Sequence, residues 1–250
     1  MRISITLISL ISLLAPLASL AQPDLNGVFL RGSGSQGYPM SQWSAGELPF
    51  STTGQSQFDN NVPGKGPRQT MPALGNDPLG DANPPGLYRT LVYGRPWEFI
   101  QFDNRVVQIF EWGKHWRTIW TDGRDVPDVI VAGPYWYGYS VGEWENDTLV
   151  VKTVGIDGRA WIDEWGNQVS DFALIEERWS RVGDTLEMTI TVNDPDLYRE
   201  PWTSDTKIFN LQSPDTLNGE LMEQIFAPID EMEFNRRIRD PAAAGPAGQN

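Results

Sequence analysis

"YSVGEWENDTLVVKTVGI", residues 139–156, is the stretch on which the fold turns. Small or apolar and polar residues alternate on both sides of Glu145-Asn146-Asp147, and asparagine tolerates the left-handed backbone of a tight turn. The stretch predicts a β-hairpin. The same punctuation recurs in "SDFALIEERWSRVGDTLEMTITVND", residues 170–194, where Gly183 precedes an aspartate as Asn146 does. "RVVQIFEWGKHWRTIWTDGR", residues 105–124, reads as a third hairpin closed around Gly113. "GVFLR" (27–31), "YRTLVYG" (88–94), "PWEFIQFDN" (96–104), "TKIFNLQ" (206–212) and "GELMEQIFAP" (219–228) add strand signals. "IDEMEFNRRIRD" (229–240) predicts a short C-terminal helix capped by Asp230.

Successive short hairpins predict an all-β antiparallel meander. An open meander leaves two bare edges, so closure into a lipocalin-like barrel is the favoured architecture, with a two-sheet β-sandwich as the alternative. Residues 33–86 are rich in Gly, Pro, Ser, Asn and Gln, yet carry Tyr38, Trp43, Phe50 and Phe58. Disordered linkers seldom hold so many rings, which predicts an irregular but ordered segment wrapped over the body and covering one mouth. Residues 22–240 then form a single domain and 241–250 a disordered tail.

At the N-terminus Arg2 precedes an apolar run from Ile3 to Leu20, ending in the small-x-small pattern Ser19-Leu20-Ala21. That predicts a signal peptide over residues 1–21, a secreted or periplasmic protein and no membrane insertion. The chain has no cysteine, one histidine and a net charge of -14. Disulfides, thiolate chemistry and cysteine metal sites are excluded, and neither a metal nor a cofactor is expected. Such acidity argues against nucleic acid as a partner and leaves a small-molecule ligand.

"LNGVFL", "NDPLG", "FEWGKHWRTIWTDGR", "YGYSVGEWENDTLVVKTVGIDGRAWID", "VNDPDLYREPWT" and "FNRRIRDPAA" follow one another in this order. Together they resemble a family of secreted bacterial proteins to which no function is assigned. Its signature is W-x-G-[HY]-S-x-G-x-W-x-[GN]-D-T-[LF]-V-V, here Trp136 to Val151. Many relatives have histidine where this chain has Tyr139, and another after the "DGR" motif where this chain has "DVPD". A histidine mechanism is therefore not carried over. The resemblance implies secretion and a single β domain, and no reaction.

Five groups of residues could carry chemistry. If residues 135–144 are extended, Tyr135, Tyr137 and Tyr139 share a face that ends at Glu143, with Trp144 beside it, making core, a pocket wall or an exposed platform for sugar. Asp122 and Arg124 form either a turn or a charged pair at a barrel mouth. Asp157, Arg159, Trp161 and Asp163 alternate, so an extended chain would place two carboxylates, a guanidinium and an indole together for acid–base work, the other reading being a turn and a solvated edge. His115 faces Glu111 across the third hairpin if its loop spans 112–114, with Arg117 on the same face, making either an acid–imidazole pair or a solvated cross-strand ion pair near a turn. Asp194 and Asp196 in "VNDPDLY" read as a proline-directed turn or a calcium loop.

The catalytic candidates are Glu143, Asp157, Asp163 and Asp122. The ligand-binding candidates are Tyr137, Tyr139, Trp144, Arg124, Arg159, Trp161 and His115. The favoured function is a secreted barrel binding a small, mainly apolar or aromatic ligand. The alternatives are a cavity enzyme (isomerase, lyase or hydratase) and a carbohydrate-binding or carbohydrate-acting protein, the last prompted by the eleven tryptophans.

Overall fold

The computed structural model describes residues 22–34, 41–44, 46–71, 74–128, 131, 133–223, 233 and 235–240; the expected signal peptide and tail lie outside them. The strands are β1 (Gly27–Gly34), β2 (Trp97–Phe102), β3 (Arg105–Phe110), β4 (His115–Trp120), β5 (Tyr139–Glu145), β6 (Thr148–Val154), β7 (Leu174–Val182), β8 (Thr185–Asn193), β9 (Trp202–Thr203) and β10 (Lys207–Leu211). β10 pairs with β1 on one side and β8 on the other, so nine strands close a barrel and β9 hangs from β8 as a spur. Every junction in the ring is antiparallel except β4–β5, which is parallel through Ile119↔Ser140 and Trp120↔Val141. Asn146 (φ 55°) and Gly183 (φ 58°) turn the β5–β6 and β7–β8 hairpins in the left-handed region, as their sequence context predicts.

Alternation along each strand fills the interior. Leu186, Met188, Ile190 and Val192 of β8 are all buried. Trp97 packs edge-on to Phe99, Trp179 and Phe209 with ring centroids 4.9, 5.5 and 5.2 Å away. Such edge-to-face contacts add to the large apolar area that these rings bury.

Two α-helices among the described residues complete the body. α1 (Thr52–Asn60) lies within the wrapping segment; Ser51 caps it by accepting from the Gly54 amide at 3.0 Å. α2 (Leu87–Val92) replaces the strand expected from "YRTLVYG". All six of its residues are buried, with the Tyr88 hydroxyl reaching Glu177 inside the barrel and Thr90 meeting Tyr137. Tertiary burial overrides the local preference of this β-branched, aromatic stretch, and α2 plugs the barrel end from which β5 and β7 start. Residues 219–223 form no strand, and the rest of "GELMEQIFAP" lies outside the described residues. Of the expected C-terminal helix, Asn235–Arg239 form a π-helical turn, where Arg239 donates to the Gly80 carbonyl at 2.7 Å. Among the described residues no helix is long and apolar enough to cross a membrane.

Candidate functional site

The barrel's polar centre is built from side chains that point inward. Arg117 on β4 donates from both terminal nitrogens to Glu177 on β7, at 2.7 and 2.6 Å, and from Nε to Gln108 at 2.8 Å. Tyr88 and Thr153 also donate to Glu177 Oε1, and the Trp179 indole donates to Oε2. Burial works to raise the Glu177 pKa, but the Arg117 charge and these donors outweigh it and hold the carboxyl below its usual range. Five donors occupy the two oxygens, which leaves this pair no open valence for a ligand. Lys207 and Asp205 make a second buried ion pair at 2.5 Å.

The sequence candidates separate. Gly138 takes φ 62°, which ends the assumed extension, so the tyrosines do not share one face. Tyr137 is buried against Phe110 and His115, with centroids 5.7 and 5.0 Å away, and burial pushes its hydroxyl up to about 12. Tyr139 and Glu143 lie on the outer wall, where Tyr139 accepts from Arg124 at 2.9 Å and Glu143 sits 3.8 Å from Lys152. Trp144 has the opposite parity and packs against the core. Asp122 chelates Arg124 at the surface, through bonds that lower its pKa, and the guanidinium lies 3.8 Å over Trp120. The β3–β4 register pairs Phe110, not Glu111, with His115, and sends Arg117 inward. Burial lowers the His115 pKa. Asp194 accepts from the Ser170 amide and hydroxyl and from the Asp196 amide, which makes it a turn acceptor. Among the described residues no group of histidine and acidic side chains could hold a metal.

Asp157 to Asp163 do not form one extended face either; turns from 157 to 165 divide them. They belong to a loop, residues 155–173, that joins β6 to β7 and builds two clefts against the wrapping segment. The first, about 720 Å³, is polar, and Asp157, Arg159 and Trp161 help to line it. Arg159 holds Asp157 through Nε and Nη2 and so lowers its pKa, while its guanidinium lies 4.6 Å over the Trp136 ring.

The second cleft, about 500 Å³, is walled by Phe50, Phe58, Leu48, Pro67 and Trp165. Phe50 stacks on Phe58 at 5.0 Å and on Tyr198 at 5.3 Å. Arg68 lies 3.6 Å from the centre of the Phe58 ring and donates to the carbonyls of Phe58, Asn61 and Trp165. Gly66, at φ 84°, lets the chain pass against the Trp165 indole; a Cβ there would sit 2.8 Å from the ring. Gln42, Gln55, Asn167 and Lys65 supply polar groups at its margin. Lys65 is tied to buried Glu164 at 2.6 Å.

Asp163 stands behind this second cleft. It is fully buried and accepts from the amides of Trp165 and Asn167 and from Asn167 Nδ2 at 2.9, 3.1 and 2.7 Å. Burial raises its pKa despite those bonds. It is a positioning residue that sets two lining residues. Phe50 and Phe58 were visible as rings in the wrapping segment, but nothing local paired them with Trp165, more than a hundred positions away.

Comparison of the chain with known protein families, with curated proteins and with solved structures finds no match in any of the three.

Proposed function

We propose that this protein is an exported β-barrel that binds a small, mainly aromatic and uncharged ligand, in the second cleft rather than in the barrel lumen. The observation that carries the reading is the pairing of three aromatic walls, Phe50, Phe58 and Trp165, with amide groups at the margin of a 500 Å³ space. Small-molecule sites are typically concave, mainly apolar, a few hundred Å³ in volume and supplied with a few orienting polar groups. Lys65 is matched by Glu164, and Arg68 and Glu47 both line the cleft with opposite charges, so its local charge is close to balanced and favours a neutral ligand. The lumen is occupied by the Trp97 cluster and the Arg117–Glu177 network. The carboxylates expected to do acid–base work lie on the outer wall (Glu143), in a surface turn (Asp122), in the polar cleft (Asp157) and in the buried loop interior (Asp163), so a shared catalytic centre has no geometric support.

The test is quenching of tryptophan fluorescence by 2-naphthol and indole, with 2-naphthoate as the charged control. Binding of the neutral compounds, weakened about tenfold or more in Phe58→Ala, supports the assignment. Unchanged affinity in both Phe58→Ala and Trp165→Leu, with the fold retained, would remove it.

A further inference from the structure

We propose that the polar cleft beside Arg159 is a second binding site, for a neutral oligosaccharide, independent of the aromatic cleft. Its volume of about 720 Å³ has the size of a drug-sized ligand site. Polar side chains are more numerous in its lining than in its neighbour's, Gln57, Asn61, Asn83, Asp157, Asp171 and Arg159 among them, and the Trp161 indole is almost wholly covered.

The internal bonds of these lining side chains leave a mixed set of open atoms. Gln168 donates to Gln57 Oε1, which leaves the Gln57 amide nitrogen as a donor. Asn83 donates to the Pro78 carbonyl, which leaves its oxygen as an acceptor. Asp171 accepts the Gly158 amide on Oδ1, which leaves Oδ2. Asn61 donates to Gly166 and Gln168 and keeps its oxygen. Arg159 engages Asp157 through Nε and Nη2, and its Nη1 remains as a second donor.

A hydroxyl donates and accepts at one atom, so a polyol satisfies donors and acceptors that sit side by side. An apolar ligand would strand them. Asp157 is balanced by Arg159 and Asp81 by Arg239, while Asp171 adds one negative charge, so anions are disfavoured and no strong field calls for a polycation. Fixed internal bonds also pre-orient the amides, which lowers the ordering cost of binding.

The experiment is calorimetric titration of the full chain with maltotriose, cellotriose, xylotriose and chitotriose, and with spermidine as a cationic probe. It is repeated on Gln57→Ala and Asn83→Ala, with melting curves as a check on folding. At least one trisaccharide is expected to bind, and its Kd is expected to rise roughly tenfold in either variant. 2-Naphthol titrations of the aromatic cleft should be unmoved, which separates this proposal from the previous one. Gln57 lies on the surface of α1, so that variant decides the matter should Asn83→Ala fail to fold. No trisaccharide binding, binding indifferent to Gln57→Ala, or binding of spermidine alone would overturn the proposal.

Discussion

Arg117–Glu177 and Arg159–Asp157 are the same chemical pair in two settings. In the barrel the guanidinium and carboxylate are 2% and 0% exposed, and tyrosine, threonine and indole donors complete the carboxylate's shell. In the loop the guanidinium is 68% exposed, rests on Trp136 and keeps a nitrogen open toward a cleft. The interior pair is tied into the architecture because each of its oxygens is taken. The loop pair can meet a ligand because it is incomplete. A charged residue type in the sequence does not separate these roles; the number of partners does.

The largest effect that would break this contrast is at Glu177. Glu177→Leu strands the buried Arg117 charge, and the expected loss is about 3–5 kcal/mol in urea unfolding, with most of it regained in Arg117→Met/Glu177→Leu. A single variant as stable as the parent would show that the pair does not hold the barrel.

The next effect distinguishes interior from loop by pH. Glu177 is lowered from 4.5, so its stabilisation is present above that value and is lost as pH falls through the folded value. Asp163 is raised from 3.8, so it binds its proton more tightly when folded. Its contribution is complete below 3.8 and is lost as pH rises through the folded value. Urea midpoints measured from about pH 3 to 7 should therefore lose a downward slope in Asp163→Asn and an upward slope in Glu177→Gln. Identical slopes in both variants would erase the distinction.

A smaller effect belongs to His115, whose pKa burial lowers from 6.5. The folded state prefers the neutral ring, so stability declines as pH drops through 6.5 toward the folded value. Proton NMR of this sole histidine should give a midpoint below 6.5; one at or above it contradicts the packing against Tyr137. The smallest effects are expected on the outer wall. Tyr139→Ala and Glu143→Gln should leave the melting temperature and both ligand titrations nearly unchanged, and a large loss of either would relocate the site.

The hairpins were legible because their turns are chemical: Asn146 and Gly183 adopt positive φ where alternation resumes. The barrel followed from the cost of bare edges, and ring closure through β10 is what the meander required. α2 was not legible, since "YRTLV" reads as a strand until the barrel end buries all of it. Parity could have revealed the interior network. Glu177 stands between Ile175 and Trp179 on the inward face of β7, and Arg117 stands one inward step before Ile119 on β4. A lone charge at such a position announces a buried partner. For the candidate site, the 155–163 stretch lies in the loop that borders both clefts, but the shape of that loop was not legible. Turns replaced the assumed extension and divided its residues between the polar cleft, lined by Asp157, Arg159 and Trp161, and the support that Asp163 gives to the aromatic one.

The lone parallel junction between β4 and β5 has a counting consequence. Walking once around a closed wall, each antiparallel neighbour reverses the direction of travel, and the walker must return facing the way it began. Nine strands give an odd number of steps, so an all-antiparallel wall of this size is impossible and a like-oriented neighbour is compulsory. Two like-oriented neighbours cannot be joined by a tight turn, so the polypeptide has to travel back along the height of the wall between Trp120 and Tyr139. That enforced return carries Pro134, Trp136 and Tyr137 to the plugged end, beside the polar cleft and α2. An even-numbered relative of this barrel could dispense with the detour, and with it the aromatic floor beneath Arg159.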